Sequence, residues 1–259
     1  MADFLSREEA PLSAEEWEKL DHLVIEVAKK QLVGRRFIDL FGPLGAGTQV
    51  VPVFAITSPS SGSARIAERQ YLPLLSHFED FSLSWQDIET ARQFGTPLEL
   101  GPAAAAAVAC AQKEDKLIFG DLLSKAGTSA PLGDWGASGA ALASIATAVD
   151  SLTSKGFLGP FAAVLNPRLY SRLHRIVAGS GLLELNLVKE VATGGVFQTP
   201  QLTEAQALVV SMGVQNLDLA VAQDMVTAYM GPDRMDHQFR VMEVVLPRIK
   251  RPEAICLLK

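Results

Sequence analysis

Cysteine is scarce in this 259-residue chain, with Cys110 in an alanine-rich stretch and Cys256 in a short apolar run near the end. Two cysteines so placed form no disulfide framework and lack a metal-binding spacing, so both read as small buried hydrophobes. Long apolar runs are missing too. The nearest to one, Gly101 to Ala111, falls well short of the roughly eighteen residues a membrane-spanning helix needs. The opening Met-Ala-Asp-Phe-Leu-Ser-Arg lacks the basic-then-apolar order of a secretory signal, and a cytoplasmic location is expected. Positive charge is in deficit, with 23 Lys and Arg against 29 Asp and Glu for a net charge of −6. The most basic local group, Arg248 with Lys250 and Arg251, is small. Neither nucleic acid nor a membrane is expected as a partner.

The arrangements that carry chemistry are absent in the same way. Gly42-Pro43-Leu44-Gly45-Ala46-Gly47-Thr48 has the glycines of a phosphate loop without its lysine, and it opens an extended arm instead of a helix. Gly136-Ala137-Ser138-Gly139 lacks the spacing of a nucleophile elbow. His22, His77, His174 and His237 stand alone, with no second ligand or nucleophile at a useful spacing. Two acidic pairs remain. Asp233 with Asp236 lies in a Gly-Pro turn, and Glu114 with Asp115 reads as part of a solvated helix face. No enzyme, metal or cofactor is expected.

What the chain does have is a core. At 48% hydrophobic and 20% charged it is too apolar for disorder, and its length permits one large domain or two ordinary ones. The best-specified element is a helix after Leu12. Ser13 and Glu16 make a capping box, and Leu12 with Trp17 makes a hydrophobic staple. Trp17, Leu20, Val24, Val27 and Gln31 form an apolar stripe, widened by Leu23 and Ala28. Glu15–Lys19, Glu18–His22 and Glu26–Lys30 are acid-first pairs on the opposite face. Lys29 and Lys30 suit the negative helix end, and Gly34 suits a left-handed C-terminal position. The stripe is open to two readings, plain core packing or one wall of a groove for a partner.

Gln49 to Ile56 and Arg65 to Leu72 read as a hairpin around the turn Ser58-Pro59-Ser60-Ser61-Gly62-Ser63. Neither face of its return arm is apolar enough to be buried at home, so it is expected to lean on a neighbour. A strand at Phe78–Leu83 precedes a helix capped by Ser84 and closed near Gly95, and Pro102 opens a long helix to about Ala126. The small-residue loop from Thr128 to Gly139 marks a boundary. Beyond it come helices from Ala140 to Lys155, from Asn166-Pro167 and up to Thr193. Strands are expected at Phe161–Leu165, Val196-Phe197, Leu208–Ser211, Leu217–Val221, Phe239–Leu246 and Ile255–Leu258. The order is α+β with several antiparallel connections.

Taken in order, these motifs resemble the encapsulins, shell proteins with the HK97 fold of tailed-phage major capsid subunits. The resemblance is carried by Ala10-Pro11-Leu12 before Trp17, Gly34-Arg35-Arg36-Phe37-Ile38-Asp39 with Gly42-Pro43, and Glu114-Asp115-Lys116-Leu117-Ile118-Phe119. Gly159-Pro160, Gly194-Gly195 with Thr199-Pro200, Gln223-Asp224 and the ending from Pro252 to Leu258 continue it. It implies an N-terminal helix and arm (1–46), an extended E-loop hairpin (47–76), a P-domain in two parts (77–130 and 223–259) and an A-domain (131–222). It also implies a homo-oligomeric icosahedral shell of about 60 copies that takes up a cargo enzyme, such as a dye-decolorising peroxidase or a ferritin-like protein, by its C-terminal peptide.

On that reading the groove belongs to Leu20, Val24 and Val27, flanked by Arg35 and Asp39, and a pore is rimmed by Ser180, Gly181 and Leu182. Some relatives hold a flavin through aromatic residues, but Trp85 is out of register with that position and no flavin is expected. The alternatives are a phage major capsid protein, against which stands the absence of a long segment before the capped helix, and a soluble enzyme, for which no convergent polar pocket is found.

Overall fold

The computed structural model describes residues 3–57 and 65–259. Two 3-10 turns, Asp3–Leu5 and Arg7–Glu9, lead into α1 (Ala14–Gln31). Its start is the expected one: the Glu16 N–H donates to Ser13 Oγ at 3.3 Å, and the Ser13 N–H donates to Glu16 Oε2 at 2.7 Å. Its end differs. The helix stops at an extended Leu32, and Gly34 opens a 3-10 turn (Gly34–Arg36) in place of a left-handed cap. The glycine is needed for closeness: a Cβ there would lie 2.6 Å from Ile118 Cδ1.

The chain continues through β1 (Asp39–Phe41), β2 (Val50–Thr57), β3 (Arg65–Pro73), β4 (Leu75–Leu83) and α2 (Trp85–Phe94). Next come the long α3 (Gly101–Lys125), β5 (Thr128–Ala130), α4 (Ala140–Ser154) and β6 (Phe161–Leu165). Short α5 (Pro167–Arg172) and α6 (Glu184–Val191) precede β7 (Gly195–Gln198) and β8 (Ala207–Ser211). β9 (Leu217–Asp233), β10 (Asp236–Ile249) and β11 (Ile255–Leu258) close the chain.

Among the described residues these strands make three sheets, ordered β1-β9-β10-β4, β5-β11-β8-β6-β7 and β2-β3. β9 runs well past Val221, its expected end, to pair with β10 as far as Asp233↔Asp236. Bulges along the pair absorb its irregularities, so the polar Gln223-Asp224 does not break it. α1 and the first half of α3 cover one face of the first sheet, where Trp17, Leu20 and Val24 meet Phe81, Phe239 and Val241. The second half of α3 crosses to the other sheet and sets Ile118, Phe119 and Leu122 against Ala162, Val164 and Val210. α4 and α6 cover that sheet's far face. Because β6 is buried on both sides, it reads in the sequence as an unbroken apolar run.

Ile255–Leu258, which the resemblance groups with residues 223–259, joins a different sheet from β9 and β10. β11 lies between β5 and β8, with Cys256 and Leu258 fully buried among residues of α4, β6 and β8. The hairpin β2–β3 is bonded to neither larger sheet; its expected turn, residues 58–63, lies outside the described residues. Among the described residues its base meets the body where Val51 packs on Ala220 and Leu246, with Leu72 and Leu74 beside it.

Gly34→Val tests the close approach of arm to spine helix. Displacing Ile118 should cost about 1–3 kcal/mol, read as a lower thermal midpoint.

Candidate functional site

The arm after α1 is gripped by two consecutive acids of α3. Asp115 accepts the N–H groups of Val33 (3.0 Å) and Gly34 (2.9 Å). Glu114 takes the Arg35 guanidinium at two points, 2.8 Å from Nε and 2.5 Å from Nη2. Arg35 also meets Glu243 of β10 (3.2 Å) and the exposed Asp224 (2.7 Å). Glu114 and Glu243 are both fully buried, so the expected solvated role of Glu114 and Asp115 is overturned. A run of Lys-Glu-Asp-Lys looks like surface until the arm lies across it.

Two buried carboxyls around one guanidinium cannot both carry charge cheaply. Burial, and then the adjacent Glu114, push the Glu243 carboxyl up to about 10, so it holds a proton at neutral pH. Burial likewise pushes Asp115 up to about 6, against the pull of the Gly34 and Val33 N–H groups. His77 stands opposite Glu243 on β4, and burial lowers its pKa.

Upstream, Arg7 fastens the N-terminal turns to α1. Its guanidinium takes both oxygens of Asp21 (2.7 and 2.8 Å), donates to the Thr227 carbonyl (2.9 Å) and stacks 4.5 Å from the Trp17 ring centre. Two hollows flank this bridge. One, of about 570 Å³, is lined by Leu5, Val24, Ile25 and Met225; the other, of about 720 Å³, is lined by Leu12, Trp17, His22 and Ile25. Arg7, Glu8, Asp21 and Ile25 border both.

The five residues expected to receive a peptide are not gathered on one wall. Leu20 is 0% exposed and Val24 1%, both turned into the core; Val27 is half-buried, Arg35 is held by carboxylates, and Asp39 is exposed at the start of β1. The stripe thus supports the core-packing reading of Leu20. Ile25, 44% exposed between the hollows, is the residue the pattern missed. Its signal is a lone branched aliphatic on the face that carries Glu18 and Asp21.

The loop expected to rim a pore is braced from behind. Arg175 Nε bonds Glu184 Oε2 at 2.7 Å, and buried Glu184 accepts the Leu142 N–H at 3.1 Å. Ile176 pairs with Leu183, and Gly179 and Gly181 take φ of 82° and 67°, which the turn needs and a larger residue resists. Ser180 Oγ is spent inside the turn, donating to the Val177 carbonyl (3.0 Å) and accepting the Leu182 N–H (3.2 Å). Ile176, Leu182 and Leu183 are the large apolar side chains the loop exposes.

Residues 2–246, nearly the whole of this architecture, match the family described as encapsulating protein for peroxidase. The chain belongs to the encapsulin family. It is 43% identical over 281 residues to the type 1 encapsulin shell protein EncA of Myxococcus xanthus, covering 100% of this chain and 97% of that protein. It is 37% identical over 270 residues to a diheme-cytochrome-encapsulin shell fusion protein of Kuenenia stuttgartiensis, covering 97% and 74%. The fold matches that of the virus-like particle from Pyrococcus furiosus with a TM-score of 0.83 at 23% identity, over 95% of this chain and 100% of that one. The capsid of Myoviridae phage XM1 matches with a TM-score of 0.63 at 14% identity, over 88% and 91%. This encapsulin therefore has the expected α+β, HK97-like capsid fold.

The proton on Glu243 carries a pH signature. The native carboxyl keeps its proton where the unfolded one, near 4.5, has lost it, so this contribution to stability is complete below about 4.5 and is lost as pH rises towards about 10. Glu243→Gln imitates the protonated form at every pH. Its thermal midpoint should match the parent at pH 4 and exceed it at pH 9, by about 2–4 °C per kcal/mol recovered.

Proposed function

We propose that copies of this chain close into an icosahedral shell of about 60 subunits in the cytoplasm and that the shell encloses a cargo enzyme captured by its C-terminal peptide. A dye-decolorising peroxidase or a ferritin-like protein is the expected cargo. The chain itself acts as wall and docking surface, with no catalysis and no cofactor. The family description and the fusion of shell with diheme cytochrome in the Kuenenia relative support a cargo role. The observation that carries the docking site is Ile25, exposed between two hollows where α1 faces the N-terminal turns.

In this reading the peptide seats apolar side chains on either side of Ile25 and beside the half-buried Val27, with Val24 in the wall behind. Leu20 acts as floor beneath them, while Arg35 and Asp39 hold and prolong the wall. Each well-buried aliphatic contributes roughly 1.5–3 kcal/mol. Ordering a free tail takes back about 2–5 kcal/mol, so one tail binds weakly. An oligomeric cargo with several tails facing many grooves overcomes this through effective concentration. The hairpin β2–β3 reaches a neighbouring copy, and the loop around Ser180, Gly181 and Leu182 borders an opening for small molecules, with Leu182 and Ile176 as its lining.

Ile25→Asp separates docking from shell formation. Coexpressed with a fluorescent protein bearing the C-terminal tail of a dye-decolorising peroxidase, it should give particles of parental size with about tenfold less fluorescence, since docking would desolvate an unpaired carboxylate. Parental loading would move the groove elsewhere, and a parent chain that elutes as a monomer would remove the shell itself.

A further inference from the structure

We infer that Arg248 is the positioning residue of the β2–β3 hairpin and that it decides whether the hairpin stands where a second copy of this chain can engage it. The second half of this statement rests on the shell reading above. A two-stranded ribbon does not hold its own direction in water. The described hairpin touches the body through Val51, covered by Ala220 and Leu246, and is pinched at its base where the Leu74 N–H donates to the Gln49 carbonyl at 2.9 Å. Leu44, Leu72 and Leu74 pack beside Val51, and an apolar patch this small, being non-directional, does not fix the angle of the ribbon about its base. The polar bond that fixes that angle comes from Arg248.

Arg248 on β10 and Asp218 on β9 are cross-strand partners. Nε and Nη2 donate to the two carboxylate oxygens at 2.6 and 2.7 Å, which fixes the plane of the guanidinium. Nη1 is thereby aimed out of the sheet, and it donates to the Pro52 carbonyl in β2 at 3.1 Å. The Phe41 ring closes over the group, 3.9 Å from Cζ, and Arg248 is only 4% exposed. One planar group therefore joins β1, β2, β9 and β10.

An ion pair serving stability alone would not need this arrangement. Lys250 already gives Asp218 a cation, 2.6 Å from Oδ2. Two cations on one carboxylate leave Arg248 free to spend a donor on the hairpin, and a fork of fixed geometry can hold carboxylate and carbonyl at once where a single ammonium cannot. Arg248→Lys keeps the charge and loses the fork. Lys250→Met removes the other cation and leaves the hairpin bond.

The test is amide hydrogen exchange and particle yield on the full-length chain. Arg248→Lys should speed exchange about tenfold at residues 50–54 and 69–74 while leaving 161–165 and 207–211 at parental rates, and the share of protein in closed particles should fall about fivefold or more. Lys250→Met should leave both readouts near the parent. Parental exchange at the hairpin base in Arg248→Lys overturns the inference. So does faster exchange throughout the chain, or an equal effect from Lys250→Met, since either makes the cluster a plain stabilising element. If the parent forms no particles, the shell reading falls, and the exchange comparison still decides the role of Arg248.

Discussion

The Arg35 guanidinium, shared between Glu114 and Glu243, fixes the one piece of chain on which both working ends depend. The arm joins α1, which exposes Ile25 beside the two hollows, to β1, from which the hairpin departs. Neighbouring acids on α3 hold it in two ways, Glu114 by the side chain of Arg35 and Asp115 by the backbone of Val33 and Gly34. A buried ionic set of this kind adds little net stability over apolar packing; what it can impose is a single seat. With Arg35 in place, the start of β1 is set against β9, and α1 cannot slide along α3.

β10 links this seat to the hairpin. Glu243 lies under the arm and Arg248 at the hairpin base, both on the strand that pairs with β9 along most of its length. The two arginines are used differently. Arg35 is anchored among carboxylates and closes a site, whereas Arg248 is oriented by a carboxylate and passes one donor outward. The hairpin has scant apolar support, so its direction depends on a bond with defined geometry.

Elements stabilised by local contacts were legible in the sequence. The capping box at Ser13, the glycine stop of α2 and the apolar run of β6 each follow from neighbours a few residues away. Elements decided by distant partners were not. Glu114 and Asp115 look solvated because what buries them lies about eighty positions earlier, and β9 looks short because Asp224 is polar without regard to the arginine it meets. Ile255–Leu258 reads correctly as a strand, but no local signal says which sheet takes it. At the candidate site the stripe marks which residues of α1 are buried and carries no signal for the exposed Ile25. Leu20 and Val24 are apolar because the core uses them, and a residue so used has no surface left for a partner.

That exchange between core and surface bears on how one fold serves both phage capsids and enzyme compartments. The likeness to phage capsids at 14% identity speaks for the architecture alone. A shell wall needs α1 only as cover for the sheet, and Trp17, Leu20 and Val24 satisfy that need completely. An aliphatic residue on the opposite slope of the helix, beside a buttoned-down N-terminal turn, adds nothing to the cover and exposes apolar surface to water. Ile25 is one of several large apolar side chains this fold leaves in water, and what sets it apart is the pair of hollows it borders.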